Sequence, residues 1–302
     1  MPIELIRKKQ LLGHKGAIYS LLLAPDKQSV FSAAGDGYLV QWPLFPLGDG
    51  QVLAQLEAPI FSMALLQENR ILLGDQHGDI HLIDYPNKQL LQQRRGHEKG
   101  VFALLPWSSS SFLSAGADGQ LSRWSIPKFR PEASWKLSHK SLRALLLTTD
   151  QSTLVAAGSQ GHLFFLDAQD FSLQKEIPQA HQSSIFSLAQ TQDYLLSAGR
   201  DAFFRVWTQK EKEEIPSHAA HLFTVNDLAI SPNGRYLASA SRDKTLKIWS
   251  LPDFKLLKVI DAPRGGHINS VNALLWANDQ LLLSASDDRS IIVWELVEIA
   301  AD

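Results

Sequence analysis

"SASRDKTLKIWS", Ser239 to Ser250, sets a run of small residues, a charged turn and an apolar stretch ending in tryptophan in close order. The phrase returns as "SASDDRSIIVWE", Ser284 to Glu295, and more loosely as "SAGADGQLSRWS", Ser114 to Ser125. The tryptophan that ends each copy, or the residue in its place, is Trp42, Ile83, Trp124, Leu166, Trp207, Trp249 and Trp294, at intervals of 41, 41, 42, 41, 42 and 45 residues. A fixed period of this kind decides the fold before any local reading does. Seven copies fill the chain, leaving only "IELIRKKQLL" before the first and "LVEIAAD" after the last.

Each copy has the same internal order. A dipeptide ending in histidine (Gly13-His14, Gly96-His97, Ser138-His139, Ala180-His181, Ala220-His221, Gly266-His267) precedes an apolar run such as "VFALL" or "VNALL". A polar turn follows, then "YLASAS" or "LLLSAS", then a tight turn such as Asp36-Gly37 or Asp118-Gly119, then an apolar stretch ending in tryptophan. A more polar stretch, such as "KLLKVI" at Lys255 to Ile260, leads into the next histidine. Four short strands per copy, with no long stretch of helical periodicity, predict an all-β chain of antiparallel sheets.

Four strands in a period of about 40 to 45 residues is the length of one propeller blade. The chain resembles the WD-repeat family of β-propellers over essentially its whole length, and five of the seven copies carry the full set of family positions. The resemblance implies a single domain over residues 1–302, a seven-bladed β-propeller of four-stranded blades, with residues 3–12 closing the ring as the outer strand of the last blade.

The recurring sets are His14, Ser32, Asp36 and Trp42; His97, Ser114, Asp118 and Trp124; His181, Ser197, Asp201 and Trp207; His221, Ser239, Asp243 and Trp249; and His267, Ser284, Asp288 and Trp294. Aspartate stands four residues after serine and six before tryptophan, a register that spans a tight turn between two strands. In the resembling family these side chains form one hydrogen-bonded tetrad per blade, which satisfies four polar groups at once. Ser, His and Asp also make nucleophilic triads, but five equivalent sets cannot share one substrate and no nucleophile-elbow sequence surrounds these serines. The second copy has Ala58, Leu73, His77 and Ile83 at the corresponding places, and the fourth has His139, Ala156, Gln160 and Leu166. Both are expected to hold by packing, the fourth with a one-residue deletion after its histidine.

With the tetrads assigned to structure, function is expected on loops and rims over a fixed scaffold. The residue after the first apolar position of each inner strand is Tyr19, Phe61, Phe102, Arg143, Phe186, Asn226 and Asn272. Strand alternation turns this set away from the anchoring residue, toward the mouth of a central channel. The resemblance adds the residue just before the tetrad aspartate, which includes Arg200, Arg242 and Asp287. An aromatic ring with arginines beside it suits a protein or peptide partner. The alternative, a propeller hydrolase with a cation in the channel, would rest on Asn226, Asp227 and Asn272, one carboxylate with two amides.

Composition narrows the partners. Lys plus Arg number 29 against 31 Asp plus Glu, and the net charge of −2 gives no pull toward nucleic acid or an anionic membrane. There is no cysteine, so disulfides and thiolate chemistry are excluded. No apolar run of about 18 residues and no apolar leader segment occurs, so a cytoplasmic chain is expected. A closed ring leaves no long sheet edge to template a dimer, so the expectation is a monomeric, non-enzymatic scaffold without cofactor or metal. The charged run "KEKEE", Lys210 to Glu214, is expected on a solvated blade edge.

Overall fold

The computed structural model describes residues 2–67, 69–208, 214–251 and 253–299. Apart from the backbone of its last residue, the charged run at 210–214 lies outside them.

Each of the first six repeats folds into one four-stranded antiparallel sheet whose strands neighbour one another in chain order. Sheet 1 comprises Ile18–Leu23, Ser29–Ala34, Tyr38–Pro43 and Gln51–Gln55; sheet 2, Ile60–Leu66, Arg70–Asp75, Asp79–Asp84 and Gln89–Arg95. Sheet 3 comprises Val101–Ser108, Ser111–Gly116, Gln120–Ser125 and Arg130–Lys136; sheet 4, Leu142–Leu147, Thr153–Gly158, Leu163–Asp167 and Leu173–Ile177. Sheet 5 comprises Ile185–Gln190, Tyr194–Gly199, Phe203–Thr208 and Glu214–Ala219; sheet 6, Val225–Ile230, Tyr236–Ser241, Leu246–Ser250 and Leu256–Ile260. Sheet 7 takes Val271–Trp276, Leu281–Ser286 and Ser290–Glu298 from its own repeat. Its fourth strand is the N-terminal Ile3–Leu12, paired antiparallel from Ile3 opposite Glu298 to Leu12 opposite Ser290.

The chain divides into two compact bodies, one of Met1–Ser32, Gln41–Gln51 and Ala189–Asp302, the other of Ala33–Val40 and Val52–Leu188. In the first, sheets 6 and 7 pack through Leu246, Ile248 and Ile260 with Val271, Leu274, Ile292 and Trp294. In the second, Leu72, Ile80 and Leu82 meet Val101, Phe112 and Trp124, while Leu113 and Leu121 meet Leu154, Phe164 and Leu166. Every residue of the second strands Ser111–Gly116, Thr153–Gly158 and Tyr236–Ser241 is buried, because both faces are covered. This is why the repeated phrase is built of Ser, Ala and Gly, whose small side chains let neighbouring sheets approach. The outer strand Gln89–Arg95 is almost wholly exposed and ends in Arg94 and Arg95, charge that discourages edge pairing.

Two local features recur. The tight turn before the third strand needs a left-handed residue, filled by Gly37, Gly78, Gly119 and Gly161 in sheets 1 to 4 and by Ala202, Lys244 and Arg289 in sheets 5 to 7. At Gly119, with φ +75°, an added Cβ would stand 2.1 Å from the Ser138 carbonyl oxygen, so chain path and dihedral both exclude a side chain there. The second feature is a register shift one residue into the inner strand, between Ile60 and Ser62, Val101 and Ala103, Leu142 and Ala144, Val225 and Asp227, and Val271 and Ala273. The residues that fall at these bulges are Phe61, Phe102, Arg143, Asn226 and Asn272. A bulge re-aims the side chain it carries out of the regular ladder.

Candidate functional site

The Ser-Ala strands bring the recurring polar residues together. In repeat 3 the Trp124 indole N–H donates to Ser114 Oγ at 2.9 Å, Ser114 meets His97 Nε2 at 2.7 Å, and His97 Nδ1 meets Asp118 at 2.9 Å. Repeat 6 repeats this through Trp249, Ser239, His221 and Asp243 at 2.9, 2.8 and 3.0 Å. Repeat 7 does so through Trp294, Ser284, His267 and Asp288 at 2.9, 2.8 and 2.8 Å. In repeat 1 Trp42 donates to Ser32 at 2.8 Å and Ser32 meets His14 at 2.7 Å, while Asp36 accepts the Tyr38 amide at 3.1 Å. In repeat 5 Trp207 donates to Ser197 at 2.9 Å, His181 is buried, and Asp201 accepts the Phe203 amide at 3.4 Å.

The donors follow from chemistry. A carboxylate only accepts, so imidazole Nδ1 carries the proton, Nε2 accepts from the serine O–H, and the serine oxygen accepts from the indole. All four groups are satisfied by one neutral histidine. Burial holds His221 below the usual imidazole range, against the opposing pull of Asp243. Burial would raise Asp118, Asp243 and Asp288, but hydrogen bonds from the paired histidine and from turn amides outweigh it; the Asp288 carboxyl lies at about 2. The same carboxylates accept the loop amides of Glu98, Leu222 and Ile268, so each pins a loop to its sheet.

Repeats 2 and 4 differ from the sequence expectation. In repeat 4 Ser138, not His139, holds the histidine's place: its amide bonds the Gly119 carbonyl as the His97 amide bonds that of Gly78. Ser138 Oγ donates to Gln160 at 2.8 Å, and His139 points out, exposed. Ser138 to Leu142 is then four residues, as His97 to Val101 is, and no deletion exists. In repeat 2 the same place belongs to Leu56, whose amide bonds the Gly37 carbonyl, and not to Ala58. Packing alone does not hold that repeat: the Asp75 carboxylate accepts from His81 Nε2 at 2.9 Å and from the His77 and Asp79 amides at 2.9 Å each. Ile83 and Leu166, buried in the tryptophan's place, each contribute about 1.5 to 3 kcal/mol.

The inner-strand residues form two groups, one in each body. In the second body Phe61 stacks on Phe102 with centroids 5.5 Å apart and rings 14° from parallel. The Arg143 guanidinium lies 4.2 Å from the Phe102 ring centroid and 5.0 Å from that of Phe186, and its Nε donates to Ser159 Oγ at 2.8 Å. All four side chains are half-buried. Because Ser138 removes the deletion, Arg143 sits at the same bulge position as Phe102.

In the first body the corresponding residues are polar and spent on one another. Asn226 Nδ2 donates to the Val271 carbonyl at 2.8 Å and Ser270 Oγ at 2.9 Å; Asn272 Nδ2 donates to the Ile18 carbonyl at 3.1 Å and Asp287 at 2.7 Å. Tyr19 is exposed, its phenol pushed up by partial burial and by the Asp287 charge. Arg200 and Arg242 are exposed. The Asp227 carboxylate accepts the amides of Leu228 and Leu274 at 2.9 Å each, tying sheet 6 to sheet 7. Among the described residues no three His, Asp or Glu side chains converge as metal ligands.

Comparison with known proteins agrees with this geometry repeat by repeat. The model of the WD domain, G-beta repeat, matches residues 6–43, 88–125, 172–208, 212–250 and 254–295, the five repeats that carry the His-Ser-Asp-Trp set. The chain is 26% identical to WD repeat-containing protein 55 of Homo sapiens over 239 residues, 76% of this chain and 62% of that one. The protein of the same name from Rattus norvegicus is 26% identical over 242 residues, 77% of this chain and 62% of that one. The chain thus spans less than two thirds of the length of these relatives. The crystal structure of the WD40 β-propeller domain of Doa1 superposes with a TM-score of 0.84 at 17% identity, covering 96% of this chain and 97% of that one. The seven sheets are the blades of a seven-bladed β-propeller, and, with the family model matched over more than half its length, the chain belongs to the WD-repeat, G-beta-repeat family.

Proposed function

We propose that this chain is a non-enzymatic scaffold that binds a protein or peptide segment mainly across the aromatic-lined mouth of the propeller channel. The observation that carries the reading is the half-buried stack of Phe61, Phe102, Arg143 and Phe186. Aromatics and arginine dominate binding hot spots, and side chains already stacked lose little freedom when a partner arrives. WD-repeat propellers typically serve as protein-interaction scaffolds, which supports a binding role for this chain. The same reading has the chain acting as a cytoplasmic monomer that needs no nucleic acid, membrane, metal or cofactor.

The test is affinity capture from a lysate of the source organism, comparing the wild type with Phe61→Ala/Phe102→Ala/Phe186→Ala after circular dichroism has established folding. Prey held by the wild type and lost from the variant is expected. Prey held equally by both would move the site off the mouth, and absence of specific prey would end the scaffold reading.

A further inference from the structure

The four most exposed large apolar side chains among the described residues are Leu222 at 85%, Leu12 at 67%, Ile268 at 65% and Phe223 at 60%. Leu222, Phe223 and Ile268 lie in the loops that lead into the inner strands of the adjacent sheets 6 and 7, and Leu12 ends the outer strand of sheet 7. Leu222 and Phe223 follow His221, and Ile268 follows His267, in loops pinned by the same bond: Asp243 holds the Leu222 amide and Asp288 the Ile268 amide, at 3.0 and 3.2 Å. Asn226, in the inner strand that follows the first loop, donates to Ser270 at the end of the second, at 2.9 Å. Leu12 pairs with Ser290, whose hydroxyl donates to Asp288, so it flanks the same turn.

The repeat supplies an internal control. The residue after the histidine's place is Lys15, Glu57, Glu98, His139 and Gln182 in repeats 1 to 5, and Leu222 and Ile268 in repeats 6 and 7. One loop geometry is polar five times and apolar twice, in neighbouring sheets, so the loop itself does not require the apolar residues. Large apolar groups exposed on neighbouring loops whose backbone is hydrogen-bonded in place mark an interaction surface. The turns beside them carry exposed Arg242, Lys244 and Arg289 against one exposed carboxylate, Asp287, which accepts from Asn272.

We infer that this rim of sheets 6 and 7 is a docking surface for an acidic protein segment that carries large apolar side chains. Its apolar side chains seat on Leu222, Phe223 and Ile268, and its carboxylates meet Arg242, Lys244 and Arg289. The apolar side chains of this surface are distinct from the Phe61, Phe102, Arg143 and Phe186 group. Arg242 is shared with the set expected at the mouth, so a variant that replaces only Leu222, Phe223 and Ile268 by serine, and keeps Arg242, separates this surface from the mouth.

A short fluorescein-labelled peptide alternating Asp or Glu with Phe or Leu tests it by fluorescence anisotropy, with peptides carrying Asn and Gln, or Lys, in place of the acids as controls. The wild type is expected to bind the acidic peptide, and Leu222→Ser/Phe223→Ser/Ile268→Ser to raise Kd by about tenfold or more. Arg242→Gln/Arg289→Gln is expected to weaken binding and flatten its dependence on salt. No binding by the wild type, equal Kd for the serine variant, or equal binding of the amide or lysine peptides would overturn the proposal. So would a wild-type dimer, measured by sedimentation, that the serine variant abolishes, since that assigns the patch to a second copy of the chain.

Discussion

Ser239 is fully buried, yet its one oxygen joins two strands and a loop by accepting from Trp249 and donating to His221. Such a chain is sensitive to pH in a definite direction. His221 is held below its ordinary value by burial, so as pH falls through about 6.5 the unfolded chain takes the proton first and stability drops. Asp118, Asp243 and Asp288 are lowered, so their contribution is present above about 3.9 and disappears as pH falls toward their folded values. The expected Tm declines as pH falls below about 6.5, the ordinary imidazole value, and falls again below about 4. A Tm flat across the first window would contradict a buried neutral His221, and one flat below the second would contradict the carboxylate bonds. These residues were legible in the sequence because their spacing repeats five times. The Asp75–His81 pair was not, because it occurs once and joins positions that no other repeat uses. Asp75 stands where sheet 3 has Gly116 and sheet 4 has Gly158, opposite the first residue of the inner strand.

The strands and turns were legible for the same reason, and the misreadings occurred where one repeat lacked its marker. In repeat 4 a chance histidine, His139, stands beside the true position and drew the register off by one. The backbone bonds between Ser138 and Gly119 restore it. The inner-strand bulges were invisible, since they depend on pairing register and no residue type marks them, yet they aim Phe102 and Arg143 away from the ladder. The turn glycines separate two causes of strain. Gly234 has φ +70° with nothing within 4 Å of an added Cβ, so Gly234→Ala is expected to cost only the left-handed penalty, about 1 to 2 kcal/mol. Gly119→Ala meets the same penalty and a carbonyl 2.1 Å away, so it is expected to cost several kcal/mol, about 4 or more. Urea unfolding of the two variants checks this; equal losses would mean that the turn yields without cost.

At the scale of the molecule, the His-Ser-Asp-Trp bond sets recur from sheet to sheet while the exposed or stacked side chains differ, and the proposed reading assigns stability to the first and recognition to the second. The period of about 41 residues made the seven blades legible. The division of the inner-strand set into an aromatic-cationic group and an amide-carboxylate group was not, because it depends on which neighbours Asn226, Asn272 and Arg143 reach. The most direct test of that separation is titration calorimetry of the captured partner against the wild type, Ser239→Ala and Phe102→Ala, with a denaturant melt of each protein. The expected result is that Ser239→Ala loses about 1 to 3 kcal/mol of stability for each of the two groups left unpaired and keeps its affinity. Phe102→Ala is expected to lose about tenfold in affinity with the smaller stability change. Affinity lost with Ser239 and kept without Phe102 would contradict the account.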